Sequence, residues 1–320
     1  MKKSTFKKIG WTLLSLAIII IAVLAFAGNY MVDFALTPSE HGQNLEAMGE
    51  KWNKRVDGIS SWYNELHEAG IFRDTVVTNS KGLKQHAVYA AAREASSAEG
   101  TAVLVHGYTD NHFSMMHLAR MYRDSLNFNV LVFDQQFHGL SEGEAIQMGW
   151  LDRLNAAMWT EVAHNIWQDD FMVVHGVSMG AATTMMLSGD PDPEWVDAYI
   201  EDCGYTSVWD QFAKQLDEEF GLPTFPILNV AQLICRMRYG WTFKEASSLD
   251  ALARSVKPVL FIHGDSDTYV PTADVYKNFD AKTNGYKELW IAPDAAHAQA
   301  YQKNPAAYTD RVRKFLVRVK

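Results

Sequence analysis

Three regimes of hydrophobic patterning follow one another along the chain. Residues 9–27, "IGWTLLSLAIIIIAVLAFA", form an unbroken uncharged run, preceded by Lys2, Lys3, Lys7 and Lys8. Over residues 28–70 the apolar positions Trp52, Ile59, Trp62 and Leu66 fall near helical spacing, which predicts a connector and helical lead-in rather than a separate domain. From Asp74 onward the period shortens. "DTVVTNS" and "KQHAVYAAA" read as two paired strands divided by the turn residues Asn79 to Gly82.

Short runs that are apolar throughout then recur at 101–107, 129–134, 171–176, 197–204, 257–264 and 287–292. Strands buried on both faces require this pattern. Helix-like segments at 115–125, 153–168, 179–188, 271–280 and 305–319 separate the runs. Such alternation predicts an α/β fold with a mostly parallel central sheet flanked by helices. One interval breaks the rhythm: about 206–255 carries helical patterns interrupted by Pro223 and Pro226, which predicts a helical cap inserted between two late core strands. The expected division is therefore 1–27 as an N-terminal targeting segment, 28–70 as lead-in and 71–320 as the catalytic domain with its cap.

The first segment changes the picture of where the domain works. Its 19 uncharged residues span roughly 28 Å at ~1.5 Å per residue, close to a hydrocarbon core of about 30 Å. Lysines precede the run and Asp33, Glu40 and Glu46 follow it, so the positive-inside rule places the bulk of the chain outside the cytoplasmic membrane. An uncleaved signal anchor is the favoured expectation, since the run exceeds the usual hydrophobic core of a signal peptide. Cleavage after the small-x-small tripeptide Ala25-Phe26-Ala27, giving a secreted protein, is the alternative.

With 48% hydrophobic residues, a chain of 320 can bury a large core, which argues against disorder. Its formal charge of -9 excludes nucleic acid as a partner, because phosphate binders concentrate Lys and Arg. Two cysteines, Cys203 and Cys235, do not make a disulfide framework, and two buried free thiols are expected.

The chemistry is concentrated in "VVHGVSMGAA", where Ser178 stands between Gly176 and Gly180 at the end of a strand run and the start of a helical one. A nucleophile elbow needs this context: the serine occupies a sharp strand-to-helix turn, and its neighbours must be small. The following helix directs its N-terminal amides at the site, where an oxyanion is to be stabilised. A serine hydroxyl also needs a histidine to take its proton and a carboxylate to orient that histidine, in the chain order serine, acid, histidine. Only His263 and His297 follow Ser178. His263 ends an apolar strand run and reads as structural, whereas His297 lies in the loop "PDAAHAQAY" and is the expected base. For the acid, Asp267 in "HGDSDTYVP" is favoured over Asp265, expected to bond loop amides, and over Asp202 in "IEDCGY". Oxyanion donors are expected from the amides of Met179, after the serine, and Tyr108, in "LVHGYTDN".

These motifs together resemble the α/β-hydrolase superfamily. Over Asp74 to Lys320, "HGYTDN", "FDQQFHGLSEG", "GWLDR", "HGVSMGAAT", "IEDCGYTS" and "HGDSDTYVP" are similar to a group of membrane-anchored or exported bacterial α/β hydrolases of poorly defined substrate. The resemblance implies Ser178, Asp267 and His297 as a triad, Tyr108 and Met179 as oxyanion donors, and no metal or cofactor. Relatives often carry a basic residue within the segment 134–139; here it reads Asp-Gln-Gln-Phe-His-Gly, and Asp134 and His138 are expected to fix a turn.

The leading expectation is a serine hydrolase that cleaves a small-molecule or lipid-like carboxylic ester through an acyl-enzyme. A peptidase or amidase using the same triad and a noncatalytic surface binding protein on the same fold are the alternatives, since fold alone never proves activity. Trp209, Phe212, Phe220, Phe225, Met237, Trp241 and Phe243 in the cap are available to line an acyl pocket or to build the cap's own core.

Overall fold

The computed structural model describes residues 2–191 and 193–320. The side chains of Lys2 and Lys3, counted above among the charges flanking the apolar run, lie outside that description. Eight strands form one sheet: β1 (Arg73–Thr78), β2 (Lys84–Ala90), β3 (Thr101–Val105), β4 (Asn129–Phe133), β5 (Met172–Val177), β6 (Ala198–Asp202), β7 (Val259–Gly264) and β8 (Lys287–Ala292). Their order is β1-β2-β4-β3-β5-β6-β7-β8. β1–β2 and β2–β4 pair antiparallel, and every other pair is parallel. This is the α/β-hydrolase fold.

Burial explains the sequence pattern. β3, β4 and β7 are buried at every position, so each reads as a continuous apolar run, while the edge strand β1 is largely exposed and opens with Arg73 and Asp74. The helices α1 (Lys2–Leu36), α2 (Leu45–Arg55), α3 (Ile59–Glu68), α4 (Met116–Arg120), α5 (Asp152–Trp167) and α6 (Met179–Ser188) precede β6. After it come α7 (Val208–Phe220), α8 (Thr224–Tyr239), α9 (Ser248–Arg254), α10 (Ala273–Ala281), α11 (Ala300–Lys303) and α12 (Pro305–Val319).

From β3 the chain crosses first to β4 on one side and then to β5 on the other. The strand order therefore reverses between β3 and β5, where α/β sheets place their ligands outside the carboxyl ends of the strands. The loops after β3, β5, β7 and β8 carry Tyr108, Ser178, Asp267 and His297.

Two boundaries differ from the sequence expectation. The cap was expected over about 206–255, but a bridge between Ser207 and Ser247 closes its neck, and α9 packs on α6 and α10 of the main body. Ser207 and Ser247 each cap the following helix through Oγ, accepting the amides of Asp210 and Asp250. These are strong local stops that a hydrophobicity pattern does not register. The second difference lies at the N-terminus. α1 runs unbroken through residue 27 to Leu36, and from Leu24 onward a stripe at helical spacing (Ala27, Gly28, Met31, Val32, Ala35, Leu36) turns toward the body. Gly28 is required there: a Cβ would stand 2.8 Å from Val230 Cγ1 and 3.0 Å from the Ala231 nitrogen of α8. Asp33 and Arg238 form an ion pair across the same contact.

The lead-in is part of the core. Met48 and Trp52 of α2 and Ile59 and Tyr63 of α3 are buried with Phe72 and Phe113, and Trp52 stacks on His117 at 4.6 Å. Cys203 and Cys235 are buried free thiols.

Candidate active site

Ser178 joins β5 to α6 with φ 58° and ψ -119°, a backbone conformation that L-residues rarely adopt. The flanking glycines follow from how tightly the turn is held. A Cβ on Gly176 would lie 2.0 Å from the Gly180 carbonyl oxygen, and one on Gly180 would lie 2.0 Å from that of Val105. The Ser178 amide donates to the Asp202 carbonyl at 2.8 Å, which ties the turn to β6.

Ser178 Oγ lies 2.8 Å from His297 Nε2, and His297 Nδ1 lies 2.7 Å from Asp267 Oδ2. Burial raises the Asp267 carboxyl, but hydrogen bonds from His263 and His297 outweigh it and hold the group at about 2. An ionised carboxylate only accepts, so His297 carries its proton on Nδ1 and leaves Nε2 free to accept from the serine hydroxyl. Asp267 Oδ1 accepts the amides of Tyr269 and Val270, each at 3.0 Å. The loop-amide role expected of Asp265 thus belongs to Asp267. Asp265 is exposed and accepts from Ser266 Oγ. Asp202 is committed elsewhere: its Oδ2 accepts from Tyr308 at 2.9 Å, and burial pushes its carboxyl up to about 6. His263 donates from Nε2 to the Val270 carbonyl at 3.0 Å and stands 3.3 Å from Asp267 Oδ2, behind the acid.

Tyr108 and Met179, whose amides were expected as oxyanion donors, line the same cavity as Ser178. Met179 is the first residue of α6, and the loop holding Tyr108 passes so close that a Cβ on Gly107 would touch Ser178 Cβ at 3.4 Å. Neither amide has an acceptor within the protein among the described residues. The 134–139 segment shapes this loop: His138 Nε2 accepts the Thr109 amide at 3.2 Å, while Asp134 takes the amides of His112 and Leu140 and bonds His86.

Two cavities meet at Ser178. One, of about 550 Å³, is apolar; the cap supplies Phe212, Leu216, Phe220, Leu228 and Phe243, and α1 and the turn after it supply Met31, Phe34, Ala35 and Pro38. The other, of about 270 Å³ and more polar, holds Trp52, Arg55, His117 and His297. Of the cap residues noted from sequence, Phe212, Phe220 and Phe243 line the cavity and Trp241 is buried beside Phe243, whereas Phe225 and Met237 face outward. The contribution of α1 to the cavity has no signal in the sequence, because an apolar targeting segment reads the same whether or not its end packs on the domain. The same holds for Tyr308, which bonds both Asp202 and His175 beneath the elbow.

Two clusters have donor atoms close enough to share an ion: His86, His112 and Asp134, and Cys203, Asp267 and His297. In the first, Asp134 already receives hydrogen bonds from both imidazoles and from two amides. In the second, Asp267 and His297 are committed to each other and burial pushes the Cys203 thiol well up.

Fold and site together define a hydrolase of the α/β-hydrolase superfamily. Residues 147–320 match the prolyl oligopeptidase family, and the chain belongs to it. The uncharacterized protein YqkD of Bacillus subtilis (strain 168) is 32% identical over 217 residues, covering 68% of this chain and 70% of that one. The α/β hydrolase domain-containing protein WAV2 of Arabidopsis thaliana is 26% identical over 210 residues, 63% of each chain. Among solved structures, the Pyrococcus furiosus esterase Pf2001 superposes with a TM-score of 0.63 at 20% identity, covering 79% of this chain and 95% of the esterase. The Pyrococcus horikoshii acylaminoacyl peptidase gives 0.57 at 17% identity, over 80% of this chain and 43% of the peptidase. These two likenesses show the fold.

Proposed function

We propose that the protein is a serine hydrolase that cleaves carboxylic esters through an acyl-enzyme. The observation that carries this reading is the unbroken chain of hydrogen bonds from Ser178 Oγ through His297 to Asp267, set beside two unpaired amides. Ser178 Oγ attacks the carbonyl carbon as His297 Nε2 takes its proton, and the oxyanion is received by the Tyr108 and Met179 amides. The carbon–oxygen bond to the alcohol breaks, His297 returns the proton to the departing alkoxide, and the acyl group stays on Ser178. Water then enters, loses a proton to His297, and displaces the acyl group as a carboxylic acid while His297 hands the proton back to Ser178 Oγ. Asp267 remains ionised throughout and stabilises the imidazolium.

The apolar cavity favours an acyl group of some size over a peptide backbone, because it offers few polar partners to amide groups. A peptidase or amidase reading of the same site draws its support from the family match and the acylaminoacyl peptidase likeness. p-Nitrophenyl esters of graded acyl length, assayed beside aminoacyl anilides, separate the two: ester turnover rising with chain length is expected, and turnover of anilides alone would replace the ester reading. Labelling by a fluorophosphonate probe, lost in Ser178→Ala, separates both from a noncatalytic surface protein.

We also propose that α1 anchors the protein in a membrane with the catalytic domain outside the cytoplasm. Over residues 7–36 it is long and apolar enough to cross one, and none of the residues in its most apolar window is buried.

A further inference from the structure

α8 crosses α1 at Gly28, one residue beyond the uncharged run, and so sits at the level where a span over residues 9–27 would leave the hydrocarbon. On α1 itself, Phe26, Tyr30 and Phe34 recur every fourth residue on the exposed face, the placement that aromatic side chains take at membrane interfaces. The outer face of α8 mixes bulky apolar and basic side chains. Leu233 and Met237 are 56% and 70% exposed with Arg236 between them and Asn229 one turn before, and Phe225, at the kink ahead of the helical part, is 75% exposed. A helix resting in a headgroup layer carries this mixture of bulky apolar and basic side chains. The aromatic row also leads somewhere. Phe34 meets Phe220 edge to face at 5.2 Å, and both rings belong to the wall of the apolar cavity that ends at Ser178.

We infer that the outer face of α8 lies in the surface of the bilayer crossed by α1, and that the cavity takes the acyl chain of a lipid ester drawn from that bilayer. This rests on the serine-hydrolase and anchor readings above. The acyl chain enters between α1 and the cap, its carbonyl reaches Ser178, and the alcohol portion lies in the polar groove beside Arg55 and His117. Entry from the bilayer keeps the acyl chain out of water along its path, so transfer into the cavity carries no cost of exposing apolar surface.

The test uses the full chain reconstituted in vesicles of phosphatidylcholine and phosphatidylglycerol. Leu233→Cys and Met237→Cys each receive an environment-sensitive fluorophore, the two native thiols being buried. The reference is Val317→Cys, 74% exposed on α12, whose following residue Lys320 pairs with Glu99 ahead of β3, at the end of the sheet opposite the site. The expected result is blue-shifted emission, quenched by bromolipids, at 233 and 237 and aqueous emission at 317. Aqueous emission at all three positions would overturn the membrane contact, including the case in which a soluble protein covers α8 instead.

The double variant Leu233→Ser, Met237→Ser is then assayed on a soluble butyrate ester and on a long-chain diacylglycerol in the same vesicles. Turnover of the butyrate ester within about twofold of the parent, with at least a fivefold loss on the diacylglycerol, is expected. An equal effect on both esters would overturn delivery from the bilayer. If the parent cleaves neither ester and matches Ser178→Ala, it is the hydrolase reading that fails, and the fluorophore result still decides the membrane contact on its own.

Discussion

Asp267 Oδ2 meets His297 Nδ1 at 2.7 Å while the other oxygen of the same carboxylate holds the Tyr269 and Val270 amides. Every lone-pair direction that matters is met by a donor. Asp267→Asn cannot reproduce this, because one end of an amide must set N–H against N–H. A loss of about 10⁴-fold in kcat on a p-nitrophenyl ester is expected, by analogy with other triads, with the circular dichroism spectrum retained. Asp202→Asn, whose carboxyl serves Tyr308, is expected to stay within about tenfold of the parent.

Ser178→Ala separates chemistry from architecture. Fluorophosphonate labelling should vanish and ester turnover fall by orders of magnitude. The melting temperature should hold or rise, since a polar side chain on a strained backbone is kept at a cost to stability. An alanine variant with parental turnover would remove Ser178 from the mechanism.

Gly176→Ala has the opposite profile. Its methyl group would press on the backbone of Gly180, which has no flexible end to move aside. A loss on the order of 3 kcal/mol, seen as a lower urea midpoint with an unchanged slope, is expected together with loss of activity.

Glu201, fully buried beneath the elbow, is pushed by burial from 4.5 up to about 8. Between those values the native state holds a proton that the unfolded chain has lost, so stability falls as pH rises. The stabilisation is full below about 4.5 and gone above about 8. Glu201→Gln should flatten that decline by a few kcal/mol, at about 1.4 kcal/mol per unit. Melting curves at pH 5 and pH 8 measure it. An unchanged difference between the two would place Glu201 elsewhere in the balance.

A chain starting at Gly28 keeps Met31, Phe34 and Ala35 on the cavity and is expected to cleave a short ester at close to the parental rate. One starting at Gly42 also loses the buried Val32 and Leu36 and the bond from Tyr108 Oη to the Ala35 carbonyl. It should lose at least tenfold in turnover, measured on detergent-free protein.

The sheet was legible because its central strands are buried on both faces and are therefore dominated by β-branched, aromatic and other apolar residues, with the few buried polar ones, such as His175 and Glu201, set among them. The elbow was legible for a related reason: Gly176 and Gly180 are forced by backbone contacts of 2.0 Å, and that constraint writes itself into five consecutive positions. His297 followed from there being only two histidines after the serine. Relationships that depend on a single distant contact were not legible. Tyr308 looks like any helix tyrosine, and Ala35 like any residue at the end of an apolar helix. Nor was the Ser207–Ser247 neck legible, because two caps 40 residues apart carry no mutual signal.

The wall shared by α1 and α8 also sets an order of events during synthesis. Gly28 and Val230 are separated by some two hundred residues, and a contact that distant closes only after a large loss of chain freedom. While the polypeptide is still being extended, the serine turn, which precedes the cap, is complete before the chamber above it has its second side. The chamber wall can therefore close, once α8 has emerged and returned to a helix made at the very beginning, before the chain has supplied Asp267 and His297, and the acyl pocket is shaped ahead of the chemistry it serves.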